Sequence, residues 1–394
     1  MTSTKHRSRR ARLAVLFGLT LGGALLPQLA PGANTQPADD TPSTATVRTT
    51  MRSLLADIRT LVDASLSERW LASPSADAAI EAALSNMEDR STALAAHAPQ
   101  MDMEFLATVL DKYAWWLRIA YRQGQREAFE ELLYESLDTC IACHTRLPSE
   151  RDSPAAEDFV SSHKVRGLSV SRRYPLLIAT RRFDDALRLL EATFAQPFRQ
   201  WPRASTALRS YVLTTVRVKE DHDRVVRTLE TLAARTDLAA DLRRQVQTWA
   251  GALRRESETK VEPSRPRQKL AGARERLRRA EDDPRSDADS LIDYAMASAA
   301  LHEYLSTPEL DPTARSEAAY LLGLCYHRIG ISEVLPQAEL YLEYSIRSDP
   351  ASESAEEAFA LLALRVVESY ADADSQLPEY IEAHLNELER LISQ

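Results

Sequence analysis

The scarcity of glycine is the feature that most restricts the fold of this chain. Ten of its 394 residues are glycine, and four of these (Gly18, Gly22, Gly23, Gly32) precede position 34, which leaves six for the rest. Sheet-based nucleotide folds need glycines for phosphate loops and tight turns, and neither GxGxxG nor GxxxxGK[ST] occurs. The remaining sequence is rich in strong helix formers. These observations predict an all-α protein and exclude Rossmann and P-loop enzymes.

The charge balance is acidic, with 49 lysines and arginines against 58 aspartates and glutamates. Five of the basic residues lie in the first 33 positions, which contain no acidic residue, so the rest of the chain is more acidic still. A negative surface repels phosphate backbones. We therefore expect no nucleic-acid partner.

Residues 1–33 have the organisation of an export signal. A basic start is followed at 13–26 by fourteen residues without a charge, which are too few to span a bilayer as a stable helix. Prolines and small residues follow, as in a cleavage region. We predict a signal peptide over 1–33 and a periplasmic location with no membrane contact beyond this signal; a retained membrane anchor is the alternative. The Pro-, Thr- and Asp-rich residues 34–46 are predicted to be a disordered spacer.

Four segments with helical periodicity lie within 47–148, separated by breakers near Pro74, Pro99 and Gly124. Each segment is about 20–26 residues long. Short connections force neighbouring helices to run antiparallel. Residues 47–148 are therefore predicted to form an up-and-down four-helix bundle.

The fourth segment contains the motif CIACH at 140–144. An apolar stripe spaced by three and four runs through Leu137, Cys140, Cys143, His144 and Leu147, so both thiols and the imidazole share one helical face. This is the pattern of c-type haem attachment, in which two cysteines bond the porphyrin vinyl groups and the next histidine ligates iron. A redox-active CxxC pair, which needs a βαβ context, and half of a zinc site, which needs further ligands, are the alternatives.

Four helices with a single CxxCH near the end of the last one resemble the cytochrome c′ and cytochrome c-556 family of four-helix-bundle monohaem proteins. The resemblance covers about a quarter of the chain. It implies one covalent haem c, with Cys140 and Cys143 as the thioether sites and His144 as the proximal ligand, and it suggests a homodimer. Members often have a basic residue four positions after this histidine; this chain has Pro148 there, and Arg146 is the nearest substitute.

The sixth iron position separates electron transfer from gas binding, because an axial methionine raises the potential and an empty position binds small ligands. The apolar stripe of the first segment places Met51 on its core face, and the resemblance to cytochrome c-556 implies an axial role for it. The alternative is that Met51 packs the core. Met87, Met101, Met103 and His97 are weaker candidates.

Further residues of the same region are candidates for the haem surroundings. The third segment offers three aromatic side chains that line a haem pocket or simply pack the core: Tyr113, Trp115 and Trp116. Four arginines are candidates to pair with haem propionates, or are surface residues: Arg52, Arg59, Arg118 and Arg122.

Paired helices recur after Pro148. Residues 174–194 and 211–232 share a pattern of apolar helix, polar turn and second helix. Residues 318–350 loosely resemble a tetratricopeptide-type (TPR) unit, with the small Ala338 where two helices approach closely. Repeats of paired helices are typical of solenoids, which offer a surface to a protein partner or extend the fold.

We predict a helical-repeat region over 155–255, a linker over 256–268 and a second, TPR-like region over 269–394. The linker contains two prolines and lacks apolar periodicity. Cys325 in the second region is predicted to be a buried small side chain.

Three functions from different classes are consistent with this organisation. The first is a periplasmic electron carrier whose repeats dock a redox protein partner. The second is a five-coordinate haem protein that binds or senses a small gaseous ligand. The third is mainly a repeat scaffold whose haem serves stability. We expect no enzyme, since no catalytic constellation is evident; low-level peroxidase-type activity of an open haem stays an alternative.

Overall fold

The computed structural model describes residues 44–67, 74–96, 101–149, 151–201, 204–259, 266–282, 290–307, 309–330, 336–370 and 377–393. Within these ranges the chain is helical and has no strand, which confirms the all-α prediction. No helix there is long and apolar enough to cross a membrane. The signal peptide predicted over 1–33 lies outside the described residues, as does most of the spacer predicted over 34–46.

Seventeen α-helices occupy the described residues, and we number them in chain order. They are α1 Thr44–Ser65, α2 Pro74–Ala96, α3 Met101–Arg122, α4 Arg126–His144, α5 Glu157–Val160, α6 His163–Arg166, α7 Val170–Ala179, α8 Phe183–Phe194, α9 Ala204–Leu213, α10 His222–Ala233, α11 Ala240–Thr259, α12 Pro266–Glu281, α13 Leu291–Leu305, α14 Pro312–Ile329, α15 Gln337–Ser348, α16 Glu353–Tyr370 and α17 Glu379–Ile392. A π-helical segment, Thr214–Lys219, continues α9.

The chain divides into two compact units. Unit 1 comprises Met1–Cys143, Ser153–Leu168 and Glu379–His384. Unit 2 comprises the remaining segments, His144–Asp152, Ser169–Pro378 and Leu385–Gln394.

The core of unit 1 contains the apolar faces of its long helices. Helix α2 packs against both α1 and α3. On α1 the buried side chains are spaced by three and four, as in Leu54, Ile58, Leu61 and Val62. Burying one such side chain contributes about 2 kcal/mol to the stability of the fold.

Polar contacts fix one end of unit 1. Gly124 has a φ of 65°, a left-handed conformation that glycine adopts without strain, and it turns the chain from α3 into α4. The Arg126 guanidinium donates to the Ser65 carbonyl at 2.9 Å, and the Tyr121 hydroxyl donates to Asp77 Oδ1 at 2.6 Å. The end of α1, the start of α2, the end of α3 and the start of α4 therefore lie together.

In unit 2, helices that follow one another in sequence pack against one another. Contacts join α7 to α8, α10 to α11, and every consecutive pair from α12 to α16. Next-but-one contacts join α11 to α13, α12 to α14 and α14 to α16. Contacts between near neighbours in sequence are those expected of stacked helix pairs, and the π-helical segment also contacts the more distant α13.

The packing of α14 on α15 depends on small residues. A Cβ atom on Gly323 would lie 2.8 Å from Leu342 Cδ2 and 3.2 Å from the Ala338 carbonyl oxygen. No side chain fits there without displacing its neighbours. The prediction that two helices approach closely at Ala338 is confirmed, and Cys325 is buried as predicted.

The region predicted as a linker over 256–268 is helical at both of its ends. Helix α11 continues to Thr259 and α12 begins at Pro266. Glu256 pairs with Arg279 at 2.5 Å and so ties α11 to α12. Helix therefore extends from both sides into the stretch that was predicted as a linker.

Candidate functional site

The CIACH motif forms the last turns of α4 and is helical throughout. Leu133 and Leu137 on this helix are fully buried. Cys140, Cys143 and His144 follow them at helical spacing, which places the three candidate side chains on one face of α4. The local sequence is sufficient to bring them together, because all three belong to a single helix.

Both cysteines of the motif are free thiols with half-buried side chains. Burial, followed by the neighbouring Cys143 and Asp138, raises the pKa of the Cys140 thiol to about 12. Such a thiol is protonated at neutral pH, whereas redox-active CxxC pairs depend on a lowered thiol pKa. This difference disfavours the redox-pair alternative.

His144 is the last residue of α4, and its ring is oriented by one hydrogen bond. Its Nδ1 lies 2.8 Å from the carbonyl oxygen of Ala179. A carbonyl only accepts, so Nδ1 carries the proton and donates it. In the neutral ring, Nε2 then has a free lone pair, and no other hydrogen bond joins His144 to the described residues.

The surroundings of His144 favour the neutral ring. Burial, followed by the positive charge of Arg181, lowers the pKa of His144 to about 4, against the weaker opposing effect of the Ala179 carbonyl. At neutral pH the imidazole is therefore uncharged. A neutral imidazole with one nitrogen held by a carbonyl and the other free is the form that binds a metal ion.

The chain leaves the helix directly after His144. Leu147, which the predicted apolar stripe included, is 44% exposed and lies outside α4, so that part of the prediction is wrong. The physical reason is Pro148, which disfavours helical backbone at the residue before it and has no N–H group to donate. The N–H of Ser149 instead donates to the Val218 carbonyl at 2.7 Å.

Two arginines near the end of the motif lie in unit 2. Arg146 is buried, and its Nε–H donates to His302 Nδ1 at 3.5 Å. Arg181 has a left-handed backbone with a φ of 58°, and its Nη2 donates to Ser149 Oγ at 3.1 Å. Sequence reasoning missed Arg181 and the Ala179 carbonyl because no local pattern links positions 144 and 179–181.

In unit 1, α3 carries the three aromatic candidates. Tyr113 is buried, whereas Trp115 is 45% exposed and meets Trp116 edge to face with ring centroids 6.4 Å apart. The indole Nε1 of Trp116 is buried, and no residue of the described ranges accepts its hydrogen. Thr139 Oγ1, one residue before the first cysteine, is buried without a partner in the same ranges. Both are polar atoms to which a ligand could hydrogen-bond.

Met51 is half-buried on α1, on the face that also contains Ile58. Its role as an axial ligand stays a prediction. Met87 is fully buried in the core of unit 1. His97 and the side chain of Met101 lie outside what the structure describes.

The four arginines considered as propionate partners fall into two classes. Arg118 and Arg122 each pair with a glutamate of α2. Arg52 and Arg59 are exposed on α1. A guanidinium that is already held by a carboxylate is poorly suited to bind a second one.

A metal site built from side chains alone is not found in the described ranges. No group of three or more His, Cys, Asp or Glu side chains lies together there as metal ligands would. The zinc alternative thus lacks its further ligands in that part of the chain.

Comparison with known proteins adds no relative. No protein-family model, curated protein or solved structure matches this chain.

Proposed function

We propose that the protein is an exported monohaem c-type cytochrome that carries electrons, with one haem c attached covalently at CIACH. The observation that carries this proposal is the 2.8 Å hydrogen bond between His144 Nδ1 and the Ala179 carbonyl. It selects the tautomer with a free Nε2, and hydrogen bonds of this kind orient metal-binding histidines. Cys140 and Cys143 lie on the same face of the same helix.

Each residue of the motif has its own role in this proposal. The thiols of Cys140 and Cys143 attach the haem through thioether bonds to its two vinyl groups, and Nε2 of His144 ligates the iron. Bound haem c supplies one-electron exchange between ferrous and ferric iron. The Ala179 carbonyl holds the imidazole plane and strengthens His144 as a donor to the metal.

In this proposal α1–α4 form a four-helix bundle around the haem. The contacts that gather four helix ends at Gly124 support that arrangement. The buried Nε1 of Trp116 is suited to donate a hydrogen bond to a haem propionate, because it lacks a partner in the described ranges. Met51 is the candidate sixth ligand, which favours electron transfer over gas binding.

Covalent haem attachment is the first test. The full chain is expressed with a c-type haem maturation system, and a denaturing gel is stained for haem. We expect stained wild-type protein and no stain in the double variant Cys140→Ser/Cys143→Ser. Cys325→Ser is the matched control, because Cys325 is buried outside the motif and should leave attachment unchanged. A maturation-competent strain that yields no covalent haem on wild-type protein contradicts the proposal.

The optical spectrum then separates electron transfer from gas binding. A sharp low-spin α band in the reduced protein indicates a sixth ligand, and Met51→Leu should broaden it. Met87→Leu makes the same chemical change in the core of unit 1 and should leave the band unchanged. A broad high-spin spectrum with a large shift on adding carbon monoxide favours the gas-binding alternative.

The repeats have the second role in this proposal: a TPR-like array in unit 2 docks a redox protein partner in the periplasm. The packing of consecutive helices supports the array, and the exposed Leu364 and Val367 on α16 support a docking surface.

Cell fractionation tests the export step. Loss of folding without haem, with no redox consequence in the cell, favours the scaffold alternative.

A further inference from the structure

Arg217 in unit 2 is a buried cation without a counter-ion among the described residues. It lies in the π-helical segment Thr214–Lys219, and only 1% of it is exposed. Its Nη2 donates to the hydroxyl of Tyr326 at 2.8 Å, and its guanidinium carbon lies 5.5 Å from the centre of that ring. No carboxylate of the described ranges pairs with it, and its buried Nε–H has no acceptor there.

A buried charge of this kind is unfavourable unless it is paired. One hydrogen bond to a neutral hydroxyl and one contact with an aromatic face replace only part of the lost hydration. The neighbouring Arg224 shows the usual solution, since its Nε and Nη2 donate to both carboxylate oxygens of Glu191 at 2.7 and 3.0 Å. Arg217 therefore lacks the carboxylate partner that unit 2 provides for Arg224.

The hydroxyl of Tyr326 is surrounded by donors. Nδ1 of His302 receives the Nε–H of Arg146, and a guanidinium only donates, so Nδ1 is the unprotonated nitrogen. The neutral ring then carries its proton on Nε2 and donates it to the Tyr326 hydroxyl oxygen at 2.8 Å. That oxygen also accepts from Arg217. Its own O–H group has no acceptor left among the described residues.

The charge environment of His302 agrees with this assignment. Burial, followed by the positive charges of Arg217 and Arg146, lowers the pKa of His302 well below its ordinary value. The ring is therefore neutral at neutral pH. It adds no further positive charge beside Arg217, and it does not neutralise the charge of Arg217.

Aromatic rings enclose these donors. Tyr326 stacks on Tyr341 with ring centroids 5.4 Å apart and planes 7° apart, and His302 meets both rings edge-on. All three side chains are buried. Enclosure by rings excludes water and strengthens every electrostatic interaction inside.

We propose that unit 2 binds a small carboxylate anion at the buried Nε–H of the Arg217 guanidinium, beside the Tyr326 hydroxyl that this guanidinium contacts. A guanidinium is a planar fork that matches the two oxygens of a carboxylate, and the free O–H of Tyr326 supplies a further donor. The anion satisfies the buried Nε–H and neutralises the charge with one molecule. Acetate is a small anion of this class.

The backbone around Arg217 is irregular in a way that fits a binding site. A π-helical turn replaces the α-helix over Thr214–Lys219, and Glu220 directly after it has a left-handed φ of 51°. π-Helical turns occur frequently at functional sites, whereas a left-handed residue is an ordinary way to end a helix. The binding proposed here does not depend on the haem at CIACH.

Calorimetric titration of the full-length, folded chain with sodium acetate tests the proposal. The protein is kept in a HEPES buffer free of carboxylates, and sodium chloride at equal ionic strength is titrated in parallel. We expect saturable binding of acetate to wild-type protein and none of chloride. Binding of both salts with equal affinity, or no saturable binding of acetate, overturns the proposal.

Variants locate the site. Arg217→Met and Tyr326→Phe should each weaken acetate binding by about tenfold or more, because each loses a hydrogen bond to a charged group. Arg244→Met is the matched control, since Arg244 is an exposed arginine on α11 paired with Asp241, and it should bind as wild type does. If Arg217→Met fails to fold, Tyr326→Phe decides alone, because it keeps the ring beneath the guanidinium. Wild-type affinity in Tyr326→Phe excludes the site.

Discussion

The two units contain buried charges in different states. In unit 1, Asp57 on α1 is only 7% exposed, and it is held by an ion pair with Arg90 and a 3.4 Å hydrogen bond from Asn86 Nδ2. In unit 2, Arg217 is buried more completely, and no carboxylate in the described ranges pairs with it. The first charge is balanced inside the fold and is structural. The second is not, and an imbalance of this kind indicates a place where a ligand belongs.

The same contrast exists within unit 2. Arg224 binds Glu191 through two hydrogen bonds, and Lys219, two residues after Arg217, pairs with Asp184 at 3.0 Å. Carboxylates are thus available to basic residues close to Arg217 in sequence. The lack of a partner for Arg217 is therefore a local property of its position rather than a shortage of acidic groups in the unit.

The largest expected effect comes from breaking the balanced charge in unit 1. Arg90→Leu leaves Asp57 buried with only the Asn86 amide as a partner, and we expect a loss of about 3 kcal/mol of unfolding free energy. Burial already raises the pKa of Asp57 against the opposing influence of Arg90, so removal of Arg90 worsens an unfavourable state. The loss is measured by unfolding the protein in urea. Hydrogen exchange of peptides from α1 and α2 reports the unfolding of unit 1.

A second substitution controls that experiment. Adding Asp57→Asn to Arg90→Leu removes the unpaired charge, and the double variant should recover much of the lost stability. If Arg90→Leu costs less than about 1 kcal/mol, the pair behaves like an ordinary surface ion pair. The comparison between the two buried charges would then lose its basis.

Local sequence patterns predicted those features that are determined by residues close together in the sequence. The helical period and the breakers gave α1 to α4, and the spacing of CIACH placed Cys140, Cys143 and His144 on one helix face. The end of α4 was harder, because an apolar stripe suggested that Leu147 continues it. Proline stereochemistry at Pro148 overrides that stripe.

Long-range contacts had no comparable signal in the sequence. Arg217 and Tyr326 are 109 positions apart, and His144 and Ala179 are 35 apart. The π-helical segment Thr214–Lys219, which packs against α8, α10 and α13, was not predicted from the sequence either. The partners of the candidate haem ligand and the buried arginine therefore became known only with the tertiary structure.

An intermediate effect is expected from pH, through the unbalanced positive charge in unit 2. His302 faces Arg146, Arg217, Tyr326 and Tyr341, and burial together with the two arginines lowers its pKa. Below about pH 6.5 the unfolded chain binds a proton at this residue and the folded chain does not, so stability falls by about 1.4 kcal/mol per pH unit. The loss ends when the pH reaches the folded pKa.

The comparison of wild type with His302→Gln measures this dependence. The pKa of His144 is also lowered, but it contributes equally to both proteins and cancels in the difference. Urea unfolding at pH 7.5 and pH 5.5 should show the advantage of wild type shrinking as the pH falls. A difference in stability that is the same at both pH values shows that His302 is not held neutral in the folded state.

The smallest effect, and the most direct test of the comparison, is expected from Arg217→Met in carboxylate-free buffer. Methionine fills a similar volume without a charge, so the variant avoids the desolvation cost but loses the hydrogen bond to Tyr326 and the contact with its ring. The avoided desolvation cost and the lost contacts have opposite effects on stability, and we expect a net gain of about 1 kcal/mol in the free energy of unfolding. Arg224→Met should instead lose stability, because it leaves Glu191 with only the neutral Tyr211 hydroxyl as a partner. Acetate should then raise the urea midpoint of wild-type protein and leave that of Arg217→Met unchanged. If Arg217→Met loses as much stability as Arg224→Met in the absence of acetate, Arg217 is a structural residue like Arg90, and the difference between the two units disappears.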